Sequence, residues 1–292
     1  MTADIFRDDI LAGKSILVTG GGSGLGKEIA KALVSKGATV HICGRRAAVL
    51  AEAASEIGGA VHHHVCDIRD ADQVDAMMAA IWTDGPLTGL VNNAAANFIA
   101  PTKDLSPRGF RAITSTVMDG SFHVTLAAGK RWIAEGIKGS VVSNLVTWVW
   151  SGSAFVVPSA MAKTALHAMT MSLAVEWGPY GIRLNATAPG PFPTESAWEK
   201  LNPIPDTVSS ATSADTVPMR RFGQMQELQN LLIFLLSDGC DYLTGQTIAI
   251  DGGQHLAGPG TFADLSAMSD AQWAAAREAI QNSTQRDKAK RA

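Results

Sequence analysis

The chain has 292 residues, of which 46% are hydrophobic and 17% charged, so it carries enough apolar material for a large core. Its formal net charge is −3 and no long basic run precedes the last ten residues, which excludes the electrostatic footprint that nucleic-acid binding needs. No apolar run is long enough to span a membrane, and three widely spaced cysteines fit neither a disulfide framework nor a metal site. We therefore expect a reduced, cytoplasmic protein without a metal.

From residue 15, short β-branched runs alternate with helical patterns, which predicts a parallel sheet with helices on both faces. The predicted strands are Ser15–Thr19, Thr39–Cys43, Val61–Cys66, Gly89–Asn92, Ser140–Asn144, Ile182–Ala188 and Gln246–Ile250. The predicted helices cover about residues 25–36, 46–57, 70–83, 107–135, 158–177 and 224–237. The fold class is thus α/β, with a Rossmann-type, doubly wound sheet of about seven strands in one domain over residues 1–292.

Two segments interrupt this alternation. The Pro-rich stretch 189–218 predicts a substrate loop at the carboxyl edge of the sheet, with a short helix near Glu195–Leu201. Residues 254–292 form a C-terminal appendage to the core of residues 11–253, and Ser269 is predicted to cap a helix that runs to about Ile280.

A glycine-rich turn follows the first strand and opens the first helix. Such a turn lets the backbone approach a pyrophosphate and aims the amide dipoles of the helix N-terminus at it. Its position in the first βαβ unit favours a dinucleotide site over a purely structural turn. The residues predicted to hold the cofactor here are Gly20, Gly22, Ser23, Gly24, Leu25 and Gly26.

The end of the second strand predicts which dinucleotide is bound. An acidic residue there would bind the ribose of NAD, but the chain has Arg45 and Arg46, and no acidic residue before Glu52. Guanidinium groups bind a 2′-phosphate in a bidentate manner, although one arginine is also explained as the exposed start of the next helix. The pattern favours NADP(H).

Motifs along the chain resemble the short-chain dehydrogenase/reductase family in order and spacing. They are TGGGSGLG at 19–26, Asp67 after the third strand, NNAA at 92–95, PGP at 189–191 and IDGG at 250–253. The resemblance implies that Asp67 and Ile68 lie at the adenine, that Asn93, Ala94 and Ala95 line the cofactor, and that Pro189, Gly190, Pro191 and Phe192 flank the nicotinamide.

The active site of that family combines Asn, Ser, Tyr and Lys, with the tyrosine four residues before the lysine. This chain keeps Lys163, but Ser159 replaces the tyrosine, and the usual serine and asparagine positions fall on Val146 and Val117. Valine neither donates a hydrogen bond nor carries a proton, so the ordinary relay for ketone reduction cannot be assembled. Lys163 is then better explained as the clamp on the nicotinamide ribose than as part of a proton relay.

Longer stretches resemble the mitochondrial-type 2,4-dienoyl-CoA reductases, which also have Ser in place of the tyrosine. The stretches are NNAAANFIAPTKDLSP at 92–107, FVVPSAMAKTALHAMTMSLAVEWGPYGIRLN at 155–185, and the tail from Asp251 to Ile280. This resemblance implies reduction of a conjugated carbon–carbon double bond in an acyl thioester, 2,4-dienoyl-CoA or 2-enoyl-CoA, with hydrogen-bond donors at the thioester oxygen.

A gapless comparison places those two donors on Asp119 and Trp148, which makes both catalytic candidates beside Lys163 and Ser159. Trp148 keeps one indole N–H, whereas Asp119 could donate only as a neutral acid. The alternatives are a surface carboxylate for Asp119 and a pocket wall for Trp148. Other potential donors are Ser143, Asn144 and Thr147, and the substrate-side candidates are Asn97, Phe98, Trp150 and Phe155.

The two long helices, at about 107–135 and 158–177, are rich in small residues that permit close packing. In the family these helices form the dimer interface of a tetramer, so the resemblance implies a homotetramer; packing of both helices on the sheet is the alternative. Two other functions stay open at this point: an oxidoreductase with a diverged, non-CoA substrate, and a catalytically silent NADP(H)-binding protein. Retention of Lys163 and of the cofactor motifs favours an enzyme.

Overall fold

The computed structural model describes residues 5–193, 214–258, 269–272, 274, 275 and 278. Its strands are β1 (Ser15–Thr19), β2 (Thr39–Gly44), β3 (Val61–Val65), β4 (Gly89–Asn92), β5 (Ser140–Asn144), β6 (Arg183–Pro189) and β7 (Thr247–Ile250). They form one parallel sheet in the order β3-β2-β1-β4-β5-β6-β7, which confirms the predicted fold class. The strand order reverses between β1 and β4, and this reversal opens a ligand crevice at the carboxyl edge.

The helices largely follow the predicted bounds. They are α1 (Gly24–Ser35), α2 (Ala47–Ile57), α3 (Ala71–Asp84), α4 (Pro107–Thr114), α5 (Gly120–Glu135), α6 (Trp148–Ser151), α7 (Val157–Trp177), α8 (Met225–Leu236) and α9 (Gln254–Ala257). The short α6 was not predicted. Ser269 Oγ accepts a hydrogen bond from Gln272 N at 3.3 Å, as expected of a helix cap. The helix predicted near Glu195–Leu201 lies outside the described residues.

The predicted helix over 107–135 is interrupted by one π-turn at Ser115–Asp119, between α4 and α5. Three successive hydroxyl side chains on this stretch bond back to main-chain carbonyls four residues earlier: Thr114 to Phe110, Ser115 to Arg111 and Thr116 to Ala112. Such back-bonding competes with the helical ladder and bends it. A sequence pattern with helical period cannot distinguish this bend from a straight helix.

The apolar core fills both faces of the sheet. On one face, β1, β2 and β5 pack against α1 and α8 through residues such as Ile29, Leu33 and Leu232. On the other, α3 and α5 cover the sheet with Met78, Ile81 and the fully buried Trp132. None of the described helices combines the length and hydropathy needed to span a bilayer. Because helices cover both faces of the sheet, its carboxyl edge is the part left free to carry a site.

A histidine cluster lies at the β2–β3 edge. His62 and His64 alternate with His63 and face the side chain of buried His41, whose Nδ1 lies 3.0 Å from His64 Nε2. The His41 and His62 rings stack with centroids 5.0 Å apart. Burial, with repulsion from His64 and His62, lowers the pKa of His41 to about 4, while Asp84 acts in the opposite sense.

This cluster predicts acid-sensitive stability. An unfolded histidine has a pKa of about 6.5, so the unfolded chain binds more protons than the folded one between pH 6.5 and 4. The stabilisation is complete above pH 6.5 and lost as the pH falls. By pH 5, about 2 kcal/mol of the free energy of unfolding has been lost. We expect His41→Val to remove most of the difference in unfolding free energy between pH 7 and 5, measured by urea denaturation; an unchanged difference would contradict the interpretation.

Candidate active site

A hydrogen-bond network joins the carboxyl ends of four strands. Thr19 Oγ1 accepts from the amides of Asn93 and Ala94, both at 3.0 Å. Asn144 Nδ2 donates to Asn93 Oδ1 at 3.1 Å, and Thr187 Oγ1 donates to Asn144 Oδ1 at 3.3 Å. Because β1, β4, β5 and β6 are linked in this way, the floor of the crevice is fixed before any ligand binds.

Lys163 is attached to this network. It lies on α7, is buried, and its Nζ donates to the main-chain oxygen of Asn144. Burial lowers the pKa of Lys163 to about 8, so the ammonium form still predominates at neutral pH. Ser159, one turn earlier on the same helix, is also buried. The remaining protons of the ammonium group suit hydroxyl acceptors such as those of a ribose.

The positions that hold the asparagine and serine of the family's proton relay are occupied by Val117 and Val146 here. Val117 is fully buried and belongs to a cluster with Leu145, Val149 and Ala162. Val146 is half-buried. This part of the site can therefore exclude water but cannot transfer a proton.

Asp119 is half-buried, two residues after Val117. It lines a surface depression of 470 Å³ between α5 and α7, with Met118, Phe122, Met169 and Leu173 among its neighbours, and Lys163 is not part of the lining. The depression that Asp119 lines does not include Lys163, so this surface gives no support to the expectation that Asp119 is a donor at the thioester oxygen.

Asn97 occupies the loop after β4, beside the same apolar cluster. Its neighbour Ala96 packs against the cluster, and Ala100 N donates to Phe155 O at 2.9 Å, which ties this loop to the segment before α7. The side-chain oxygen of Asn97 is buried and has no hydrogen-bond partner among the described residues. A buried amide without a partner is costly, and it is typical of a group that waits for a ligand.

Exposed apolar side chains surround the opening. Phe98, Trp150 and Phe155 are 36%, 43% and 57% exposed, and Trp148 is half-buried at the start of α6. Phe155 adopts φ 64°, a left-handed conformation that a bulky residue rarely accepts. Such strain is common next to functional sites. The predicted substrate residues Asn97 and Phe98 thus lie between β4 and α4, and Trp150 and Phe155 lie between β5 and α7.

The turn after β1 is shaped for a pyrophosphate. Gly20 has φ 67°, and a Cβ on Gly26 would lie 2.3 Å from the oxygen of Gly20, so neither position accepts a side chain. Ser23 is the N-cap of α1 but makes no side-chain capping bond, and the first turn contains no acidic residue. The free amides of this N-terminus can bind phosphate oxygens. The turn residues Gly22, Gly24 and Leu25 fit the same cradle.

The part of the crevice predicted to hold the adenosine carries three cations. Arg45 and Arg46 are exposed where β2 passes into α2. Arg69 Nε donates to the two carboxylate oxygens of Asp67 at 2.8 and 3.0 Å, and this pairing lowers the pKa of Asp67. Ile68 is buried against Gly120, where a Cβ would lie 2.6 Å from Ile68 Cγ1. Sequence reasoning missed Arg69, although a cation two residues after the acidic position was a visible signal.

A second missed pair lies after β7. Gly190 N donates to Ile250 O at 3.1 Å, which places the segment Pro189–Phe192 beside the end of this strand. Asp251 follows the strand, and its Oδ2 lies 2.7 Å from Nδ1 of His255. The signal available in the sequence was an Asp and a His four residues apart at a helix start.

The geometry and the comparisons agree on the class of protein. A family model described as "Enoyl-(Acyl carrier protein) reductase" matches residues 20–255. The chain belongs to the short-chain dehydrogenase/reductase family and is an oxidoreductase by that membership. Members of this family use a nicotinamide dinucleotide, and the cradle at Gly20–Gly26 fits one.

Among similar proteins, a probable 2,4-dienoyl-CoA reductase of Bacillus subtilis (strain 168) is 39% identical over 83% of this chain and 97% of its own length. Another, from Caenorhabditis elegans, is 38% identical over 98% of this chain and 95% of its own. A short chain dehydrogenase from Bacillus anthracis has a TM-score of 0.75 and 39% identity, covering 83% of this chain and 96% of that structure. A variant of actinorhodin polyketide ketoreductase with NADPH has a TM-score of 0.78 and 28% identity, with coverage of 83% and 97%.

Proposed function

We propose that this protein is an NADPH-dependent reductase of a conjugated carbon–carbon double bond in an acyl thioester. The observation that carries the proposal is a family site that keeps its buried lysine while Ser159, Val146 and Val117 replace the usual proton relay. Such a site suits chemistry in which charge gathers on a thioester oxygen without a tyrosine to protonate a ketone. The names of similar proteins, 2,4-dienoyl-CoA reductases, support the same substrate class.

Each residue then has a separate task. Lys163 binds the nicotinamide ribose and is held in place by the Asn144 carbonyl. The buried side-chain oxygen of Asn97 has no partner among the described residues. A flip of this amide, which exchanges its oxygen and nitrogen, puts an N–H group at that position to donate to the thioester oxygen, and the indole N–H of Trp148 is the second potential donor. Phe98, Trp150 and Phe155 cover the acyl chain. The cofactor, when bound, supplies a hydride.

The test is NADPH oxidation with a panel of 2,4-dienoyl-CoA, 2-enoyl-CoA and ketone substrates. We expect turnover of at least one conjugated thioester and none of simple ketones. Absence of turnover with every thioester would refute the proposal, and tight NADPH binding without any turnover would favour a silent nucleotide-binding protein.

Cofactor choice gives a separate prediction. Replacing Arg45 and Arg46 with Ala should raise the KM for NADPH by about 100-fold, because charge-assisted bonds to the 2′-phosphate contribute roughly 1.5–3 kcal/mol. The KM for NADH should change little, since NADH lacks that phosphate. Steady-state kinetics with both cofactors checks this; equal effects on the two would contradict an NADP(H) site.

We also propose a homotetramer in which the outer face of α5 and α7 is one interface. The depression that contains Asp119 is apolar, and Phe122, Met161, Met171 and Val175 are exposed around it. An exposed apolar surface of this kind is typical of a contact with another chain. We expect Phe122→Arg to reduce the particle mass measured by light scattering after size exclusion; a wild-type monomer at micromolar concentration would contradict the assembly.

A cytoplasmic location remains part of the proposal. Its support is chemical: Cys43, Cys66 and Cys240 are free thiols, and all three are buried. Fractionation of the source cells would test it.

A further inference from the structure

Asp251 and His255 form a pair beside Trp150 at the carboxyl edge of the sheet, and neither residue of the pair has a task in the function proposed above. Asp251 follows β7, and the chain beside it is Pro189–Phe192, the segment predicted to flank the nicotinamide. The contact is close: a Cβ on Gly190 would lie 2.7 Å from Asp251 Cβ. The pair is therefore next to the place where hydride transfer is expected.

Asp251 fixes the imidazole of His255. The carboxylate is buried and accepts hydrogen bonds from Gly253 N at 2.9 Å and His255 N at 2.8 Å, besides the 2.7 Å contact with His255 Nδ1. Burial alone would raise the pKa of Asp251, but these bonds hold it below the ordinary value, so the carboxylate stays ionised. An ionised carboxylate only accepts, hence Nδ1 carries the proton toward Asp251 and Nε2 is left for another partner.

Trp150 fixes the other side of the ring. The His255 and Trp150 rings lie 4.9 Å apart between centroids with an interplanar angle of 31°. His167 meets the edge of the same indole at 6.3 Å, and its own Nδ1 contacts Thr247 Oγ1 at 2.8 Å. Trp150 is exposed and is a predicted substrate residue, so His255 is held between a buried carboxylate and a side chain that we expect to meet the substrate.

In the reductases that the chain resembles, water supplies the last proton of the reaction, and a fixed acid beside the acyl chain can take that part here. After hydride has entered the conjugated chain, the electron pair rests on the thioester oxygen, and one carbon must still gain a proton. Ser159 stands in place of the tyrosine, and Lys163 is bound to Asn144. An imidazole oriented by a carboxylate is the common solution to proton transfer at a fixed point.

We propose that His255, oriented by Asp251, donates the proton that completes reduction of the conjugated acyl chain. The Nε2–H bond of protonated His255 breaks as a carbon–hydrogen bond forms on the acyl chain, and the thioester carbonyl is restored. Neutral His255 then takes a proton from water, while Asp251 remains ionised throughout. The charged or titratable groups near the ring are Asp251 and, across Trp150, His167. The inference rests on the function proposed above.

The test compares His255→Gln with the matched control His167→Gln. The His167 ring meets the edge of the same indole, but its Nδ1 contacts the Thr247 hydroxyl where His255 contacts a carboxylate. With 2,4-hexadienoyl-CoA and NADPH, we expect His255→Gln to lower kcat by about 100-fold with little change in KM, and to increase the solvent deuterium isotope effect on kcat. The kcat of His167→Gln should stay within about twofold of the wild-type value. His255→Ala should regain activity with added imidazole, which a merely structural role would not allow.

Binding measurements separate this inference from failures of folding or of the function itself. NADPH affinity, and 2,4-hexadienoyl-CoA affinity of the cofactor-free protein, should be the same in wild type and both His255 variants by titration calorimetry. If wild type reduces the thioester and His255→Gln keeps its kcat and isotope effect, His255 is not the donor. If wild type reduces no thioester at all, it is the proposed function that fails.

Discussion

Lys163→Met is expected to reduce kcat/KM for the conjugated thioester by at least about 100-fold. The substitution removes the group that binds the nicotinamide ribose, and a displacement of the cofactor by about an ångström has an effect of that size. NADPH affinity should fall as well. Above pH 8 the wild-type ammonium group loses its proton, so NADPH affinity of the wild type should decline there too. Titration calorimetry across pH 6 to 10, together with steady-state kinetics, measures both effects.

The same substitution should make the protein more stable. Burial lowers the pKa of Lys163 from 10.5 to about 8, and this desolvation costs the folded state roughly 3 kcal/mol while the lysine is protonated in both states. Loss of the hydrogen bond to the Asn144 carbonyl offsets about 1 kcal/mol of this stabilisation, so we expect the free energy of unfolding to rise by about 2 kcal/mol at pH 7. The gain should shrink between pH 8 and 10.5, where the folded lysine releases its proton first.

Thr164→Val is the matched control, since Thr164 is the exposed neighbour of Lys163 on α7. It should leave both activity and stability close to wild type. Full activity of the Lys163→Met enzyme would contradict a role for this lysine in the reaction.

Asn97→Leu is expected to lower kcat by about 100- to 1000-fold, the effect of losing one donor at a developing oxyanion. The substitution keeps the approximate volume but removes the amide N–H. It should also raise the free energy of unfolding by about 1 kcal/mol, because the buried side-chain oxygen of Asn97 has no partner among the described residues. Kinetics with a dienoyl thioester and urea denaturation give the two numbers.

Asn97→Asp distinguishes hydrogen-bond donation by the Asn97 amide from a role in which the side chain only fills space. The carboxylate has the same outline, yet it repels negative charge on the thioester oxygen, so activity should not return. NADPH affinity should be unchanged in both variants. Equal kcat in wild type and Asn97→Asp would show that the side chain only fills space.

Much of the fold followed from the sequence, for reasons that are local. The first strand, Ser15–Thr19, was predicted to the residue because a buried parallel strand reads as an unbroken apolar run between turn signals. The π-turn at Ser115–Asp119 was not predicted, since hydroxyl side chains on a helix can point to solvent or bond back, and spacing alone does not decide between them. The short α6 was too brief for a periodic pattern.

The site divided in a similar way. Lys163 and the glycine-rich turn could be predicted because the spacing of motifs is visible in a single sequence. The directions of Asp119 and Asn97 depend on how the bent helix and the loop after β4 pack on the sheet, and a gapless comparison contains no such information. It placed a donor at Asp119, which lines the depression between α5 and α7.

The sequence by itself determined an α/β sheet with a dinucleotide cradle and a lysine site that lacks the usual relay, because strand runs, glycines and motif intervals are properties of consecutive residues. Only the tertiary structure decided which polar groups meet at the crevice. It joined Lys163 to Asn144, left the Asn97 oxygen without a partner among the described residues, and set His255 between Asp251 and Trp150. These contacts link residues from separate strands and loops, and their distances arise only when the sheet brings those chain ends to one edge.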